Sequence, residues 1–190
     1  MTLTVVKYGE PVLRKRGARI EQLSSETHAL IADMFETMQG SRGIGLAAQQ
    51  VGHAIQLAVV DVRGVKDRPS KLWVDGQEAD VESFMPLVLI NPVVTPVGNP
   101  VAGPEGCLSF PEIFGEVSRS GEIDVVASNE RGESFHFRAG GLLARVVQHE
   151  VDHLNGILFI DRMDSETRTD LKNEIDELMA ETKARLAGKK

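Results

Sequence analysis

The chain has 190 residues, 42% of them hydrophobic and 26% charged, which fits one globular domain and excludes a disordered or low-complexity chain. Twenty-one Lys and Arg against 28 Asp and Glu leave a net charge of −7; this excludes a broad nucleic-acid surface, and with it sequence-specific nucleic-acid recognition. No apolar run approaches the roughly 20 residues of a membrane span, and the single cysteine, Cys107, rules out an internal disulfide and suits a reducing compartment.

Met1 to Arg16 lacks a signal-peptide core, so the expected location is cytoplasmic. From Ser24 to Gln39 the apolar residues Ile31, Met34, Phe35 and Met38 recur at helical spacing, with Ser24 as N-cap and Gly40 as stop. A Gly-rich stretch, Gly43 to Gln50, follows. Gly43-Ile44-Gly45-Leu46-Ala47-Ala48 matches a loose dinucleotide pattern but follows a helix, where that pattern needs a preceding strand. Leu57 to Val62 and Leu87 to Ile90 read as strands. Between them Arg63 to Met85, polar and rich in charges, reads as a long decorating surface loop. Ile123 to Ala127 and Ser134 to Ala139 alternate around Asn129-Glu130-Arg131-Gly132 and predict a hairpin.

Leu142 to Leu154 is apolar nearly all round and predicts a buried helix ended by Asn155-Gly156. Ile157 to Ile160 reads as a short strand. Ser165 to Leu186 is an amphipathic helix with Leu171, Ile175, Leu178, Met179 and Leu186 on one side. Its acids come early and its bases late (Lys183, Arg185, Lys189, Lys190), matching the helix dipole. Strands and helices are segregated, so the expected class is α+β: antiparallel sheets around the buried helix, plus the C-terminal amphipathic helix.

The buried helix carries His149-Glu150-Val151-Asp152-His153. Residues at i and i+4 share a helix face, so both imidazoles can reach one metal with Glu150 beside it. Burying Glu150 and Asp152 with no purpose would be costly. The third ligand is open at this point. Phe159 stands where one peptidase pattern needs a histidine, which leaves Glu174 on the C-terminal helix or Cys107 in Glu105-Gly106-Cys107-Leu108-Ser109. Thiolate suits Zn or Fe. His28, His53 and His136 have no companion ligands. Gln50 offers an amide donor of the kind that stabilises an oxyanion.

Gly43-Ile44-Gly45-Leu46-Ala47-Ala48-Gln49-Gln50, Glu105-Gly106-Cys107-Leu108-Ser109 and His149-Glu150-Val151-Asp152-His153 resemble, in order, the three signature motifs of the peptide deformylases. The similarity runs from about Val5 to Met163 and includes Pro86 to Pro92 and Leu154-Asn155-Gly156. The resemblance implies a catalytic domain over 1–163, with 164–190 forming a C-terminal helix packed on it. It implies a metallohydrolase, a formyl-methionyl peptide amidohydrolase, that removes N-formyl groups from nascent polypeptides, with the ribosomal tunnel exit as a partner surface. Cys107, His149 and His153 map onto the ligands of one metal ion, Fe(II) being expected and Zn, Ni or Co able to replace it. Glu150 maps onto the general acid/base, and Gln50 and the Leu108 N–H onto oxyanion donors. Ile44, Gly45, Gly106 and Val146 map onto the substrate pocket. Arg63 to Met85 is longer than the family's usual connection, and Phe114 stands where some members carry an arginine that touches substrate. Arg119 is expected to pair with Glu105 or with the catalytic carboxylate. The competing reading is a zinc endopeptidase with Glu174 as third ligand.

Overall fold

The computed structural model describes residues 1–188. Helix α1 (Ser25–Gly40) begins where Ser24 Oγ accepts the Thr27 N–H at 3.2 Å. Strands β1 (Gly45–Ala47) and β2 (Leu57–Val60) follow, then β3 (Ser70–Val74), β4 (Gln77–Glu78) and the short helix α2 (Val81–Phe84). Next come β5 (Leu87–Pro96), β6 (Pro100–Cys107), β7 (Phe110–Ser120), β8 (Glu122–Ser128) and β9 (Ser134–Gly140). Helices α3 (Gly141–Leu154), α4 (Ser165–Asp170) and α5 (Lys172–Ala187) complete the chain.

One sheet runs β1-β2-β5-β8-β9-β3-β4 and a second pairs β6 with β7, with every pairing antiparallel. Side chains alternate across a strand, and β2 and β5 use both faces. Ala58, Val60, Leu87 and Leu89 pack with Leu143, Val146 and Val147 of α3. Leu57, Val59, Val88 and Ile90 pack with Ile31, Met34 and Met38 of α1. This double burial is why these strands read as continuous apolar runs. A third core joins Phe110, Ile113 and Val117 of β7 to Tyr8, Phe159, Ile160, Met163 and Ile175. The fold is thus α+β, with α3 packed against the large sheet and β7.

Four elements differ from the sequence reading. Residues 63–85 are not a decorating loop: β3 joins the large sheet beside β9, with Leu72 opposite Ala139 and fully buried. Asp75-Gly76, both at positive φ (51° and 76°), turns β3 into β4 as an Asp-Gly hairpin does. Five strand residues flanked by charges and Pro leave too short an alternation to stand out. The β6–β7 sheet, unassigned from sequence, is another addition. Residues 157–160 form no strand; a 3-10 turn at Phe159–Asp161 buries Phe159 and Ile160, so the apolar run serves side-chain packing and not strand pairing. The final helix breaks at Leu171, whose φ and ψ of −92° and 3° cap α4. The break seats Leu171, Ile175, Leu178 and Met179 in the third core, and Leu186 lies outside that cluster. Lys189 and Lys190 lie outside the described residues.

Candidate metal centre

Helix α3 places His149 and His153 one turn apart, with ring centroids 5.0 Å from each other. Cys107, the last residue of β6, brings its Sγ to 3.3 Å from His153 Nε2. One ligand atom from each of Cys107, His149 and His153 lies within 4.8 Å of the others; among the described residues this is the cluster of metal-ligating type. A thiolate and two imidazoles suit Zn or Fe(II), and three protein ligands leave a position for water or substrate. The donor set therefore fits a resident metal ion. Glu174 is exposed in the first turn of α5 and is not part of the cluster, and neither are His28, His53 and His136.

The candidate ligands are held from behind by charge. Glu105 Oε2 accepts the His149 Nδ1–H at 2.9 Å, so that ring offers its Nε2 to the cluster. Arg119 donates to both Glu105 oxygens at 2.6 and 3.0 Å and to Asp152 Oδ2 at 2.8 Å. Arg145 donates to Glu105 Oε1 at 2.9 Å, and Arg162 to both Asp152 oxygens at 2.7 and 3.0 Å. Burial would raise the Glu105 pKa, but the hydrogen bonds from His149 and Arg119 win and bring it down to about 2. Burial disfavours charge on His149, while the Cys107 sulfur and Glu105 push its pKa up; a metal ion bound at Nε2 would take the place of that second proton. Burial and the His149 charge push His153 the other way. Of this network, the sequence reading contained only the Glu105 pairing of Arg119. Arg145 was missed; its signal was an arginine inside an otherwise apolar helix.

Glu150 is 4% exposed, and its Oε2 has no hydrogen-bond partner among the described residues. Burial raises its pKa to about 7, against the lowering effect of the His149 and Arg119 charges. The backbone of β1 passes directly over it. A Cβ on Gly45 would collide with Glu150 Oε1 and stand 2.9 Å from Val146 Cγ1, so any side chain there would displace the Glu150 carboxylate.

Gln50 lies in the 3-10 turn after β1. Its Oε1 accepts the Ala47 N–H at 2.9 Å, which fixes the amide so that Nε2 lies 3.4 Å from Cys107 Sγ and 3.4 Å from Ser109 Oγ. A cleft of about 580 Å³ opens over these groups. It brings together Ile44, Gly45, Gln50, Gly106, Cys107, Leu108, Val146, His149 and Glu150, so nine of the ten site residues expected from sequence line one space. His153, the tenth, is buried behind Cys107. Phe114 is two-thirds exposed and also lines the cleft, its ring covering Gly106, where an added Cβ would meet it at 2.7 Å.

Residues 2–169 match the family model described as polypeptide deformylase. A peptide deformylase of Opitutus terrae is 42% identical over 187 residues, 97% of this chain and 96% of that protein. One from Methylacidiphilum infernorum is 43% identical over 178 residues, 94% of this chain and 93% of that protein. Among solved structures, a plant peptide deformylase superposes with a TM-score of 0.83 at 34% identity, over 96% of this chain and 92% of that one. The Thermotoga maritima peptide deformylase gives 0.74 at 38% identity, over 86% and 99%.

Proposed function

The chain belongs to the polypeptide deformylase family, and from that premise we propose that it hydrolyses the N-formyl group from the formyl-methionine that begins a nascent polypeptide, releasing formate. The observation that carries this reading is the convergence of Cys107, His149 and His153 beside one cleft, with a buried Glu150 whose Oε2 has no partner among the described residues.

Cys107, His149 and His153 are the residues that would hold the metal, with Fe(II) as the proposed ion and Zn, Ni or Co as ions the same donors accept. When bound, the metal supplies Lewis-acid polarisation and lowers the pKa of water. The rest falls to the chain. Glu150, with a pKa of about 7, suits proton uptake and return near neutral pH. It takes a proton from the attacking water as the water oxygen bonds to the formyl carbon. The Gln50 amide and the Leu108 N–H donate to the oxygen that becomes negative. Glu150 then gives the proton to the departing nitrogen as the C–N bond breaks, leaving a free amine and formic acid, which loses its proton to water as formate. Ile44, Gly45, Gly106 and Val146 offer the methionine side chain apolar walls in the same cleft.

This reading sets the reaction in the cytoplasm near the ribosomal tunnel exit, supported by the substrate, which is the first residue to emerge. No described helix is long and apolar enough to cross a membrane.

The test is formate release from a formyl-methionyl peptide by anaerobically prepared protein, with metal analysis of the same sample. Cys107→Ala should lose both metal and formate release while keeping the fold, because the core is large enough to stand without the ion. Full metal content with unchanged formate release in that variant would overturn the assignment.

A further inference from the structure

Residues 6–8 lie outside the three motifs, yet they bond in succession to Gln50, Leu108 and Ser109, the first two of which carry the proposed oxyanion donors. Val6 N–H donates to Gln50 O at 2.9 Å, Lys7 Nζ to Leu108 O at 2.8 Å and Tyr8 N–H to Ser109 O at 3.0 Å. Gln50 follows a strand of the large sheet, whereas Leu108 sits in the turn between β6 and β7, the strands of the small one. Two donors on separate sheets must meet at one oxygen, within a few tenths of an ångström, to stabilise it. The segment spanning them is firmly seated: Tyr8 is buried and stacks on Phe110 with ring centroids 4.7 Å apart.

Lys7 is the member of this segment whose side chain reaches the site. It is half-buried and lines the catalytic cleft, and its hydrogen-bond partner is a backbone carbonyl. Lysine ammonium groups more often stay in water with their stems along the surface. A half-buried one held on the carbonyl of a turn residue is placed to fix that turn.

We infer that Lys7 is a positioning residue for the oxyanion donors: its ammonium holds the Leu108 carbonyl, fixing the turn that presents the Leu108 N–H in register with Gln50. The inference rests on the deformylase reading above. Lys7 acts through Leu108 and need not touch substrate. Its loss should therefore appear in the transition state and not in ground-state binding.

The experiment compares wild type, Lys7→Met and Lys7→Arg as metal-loaded enzymes. Steady-state formate release from a formyl-methionyl peptide is measured, with metal content and melting temperature on the same samples. Lys7→Met should lower kcat roughly tenfold with KM changed less than about twofold, the scale of one hydrogen bond to a charged group. Metal content and melting temperature should hold, and Lys7→Arg should restore most of kcat. In a Gln50→Ala background Lys7→Met should cost much less, because one of the two donors it aligns is already gone. An unchanged kcat, an effect confined to KM, or a kcat loss that follows metal loss would each overturn the inference. Wild type that releases no formate would instead overturn the deformylase reading itself.

Discussion

At Glu150 the cost of burial becomes chemistry: the apolar surroundings that penalise its charge raise its pKa to about 7, where a carboxylate can both take and return a proton. Glu150→Gln keeps the size and the three neighbouring ligands, so it should retain metal yet lose roughly 10²–10⁴-fold in turnover. Keeping more than about a tenth of the wild-type rate would contradict the role. Gln50→Ala should lower kcat by roughly 10²–10³-fold with little rise in KM, since the lost hydrogen bond strengthens only as charge develops. Parallel kcat and KM measurements decide it; a pure KM effect would put Gln50 in ground-state binding. Both residues were legible in the sequence, one from its motif and one from its amide beside two glycines. Glu150's pKa was not, because it is set first by burial and then by the charges of His149, Arg119 and Glu105, which only the fold gathers around it.

Elements divide by how local their signals are. Helix α1 was legible from its cap and its 3.6-residue spacing, and α3 from its length of apolar sequence. The β3 strand escaped notice, yet Leu72 within it is fully buried against the large sheet. Leu72→Ala should therefore destabilise the fold by about 2–4 kcal/mol, read as a shift in urea midpoint at constant slope. A change below about 0.5 kcal/mol, as for an ordinary surface position, would return residues 63–85 to the status of a loop. The break at Leu171 was likewise hidden, because the amphipathic stripe continues on both sides of it; only the shape of the third core requires the turn.

Across the whole molecule, the buried charges couple stability to pH. Glu105 has a pKa of about 2 in the fold against an ordinary 4.5, and it binds its proton more weakly folded than unfolded. Its contribution, at most about 3 kcal/mol, is thus fully present above the unfolded value and is lost as pH falls through 4.5 towards 2. Denaturation midpoints measured from pH 7 to 3 should fall for wild type, and Glu105→Gln should flatten that slope; parallel slopes would remove Glu105 as the source. By itself the sequence determined the α+β class, the helix bearing His149 and His153, and the three motifs, because each is a pattern within a short window. It left the third ligand to resemblance, with Glu174 still open, and said nothing of Arg145 or Lys7. Those were decided by tertiary structure. Cys107 joins the candidate ligand cluster because the β6–β7 hairpin carries it to His153, 46 residues further along the chain. Such proximity follows from how sheets and helix pack, and no local pattern encodes it.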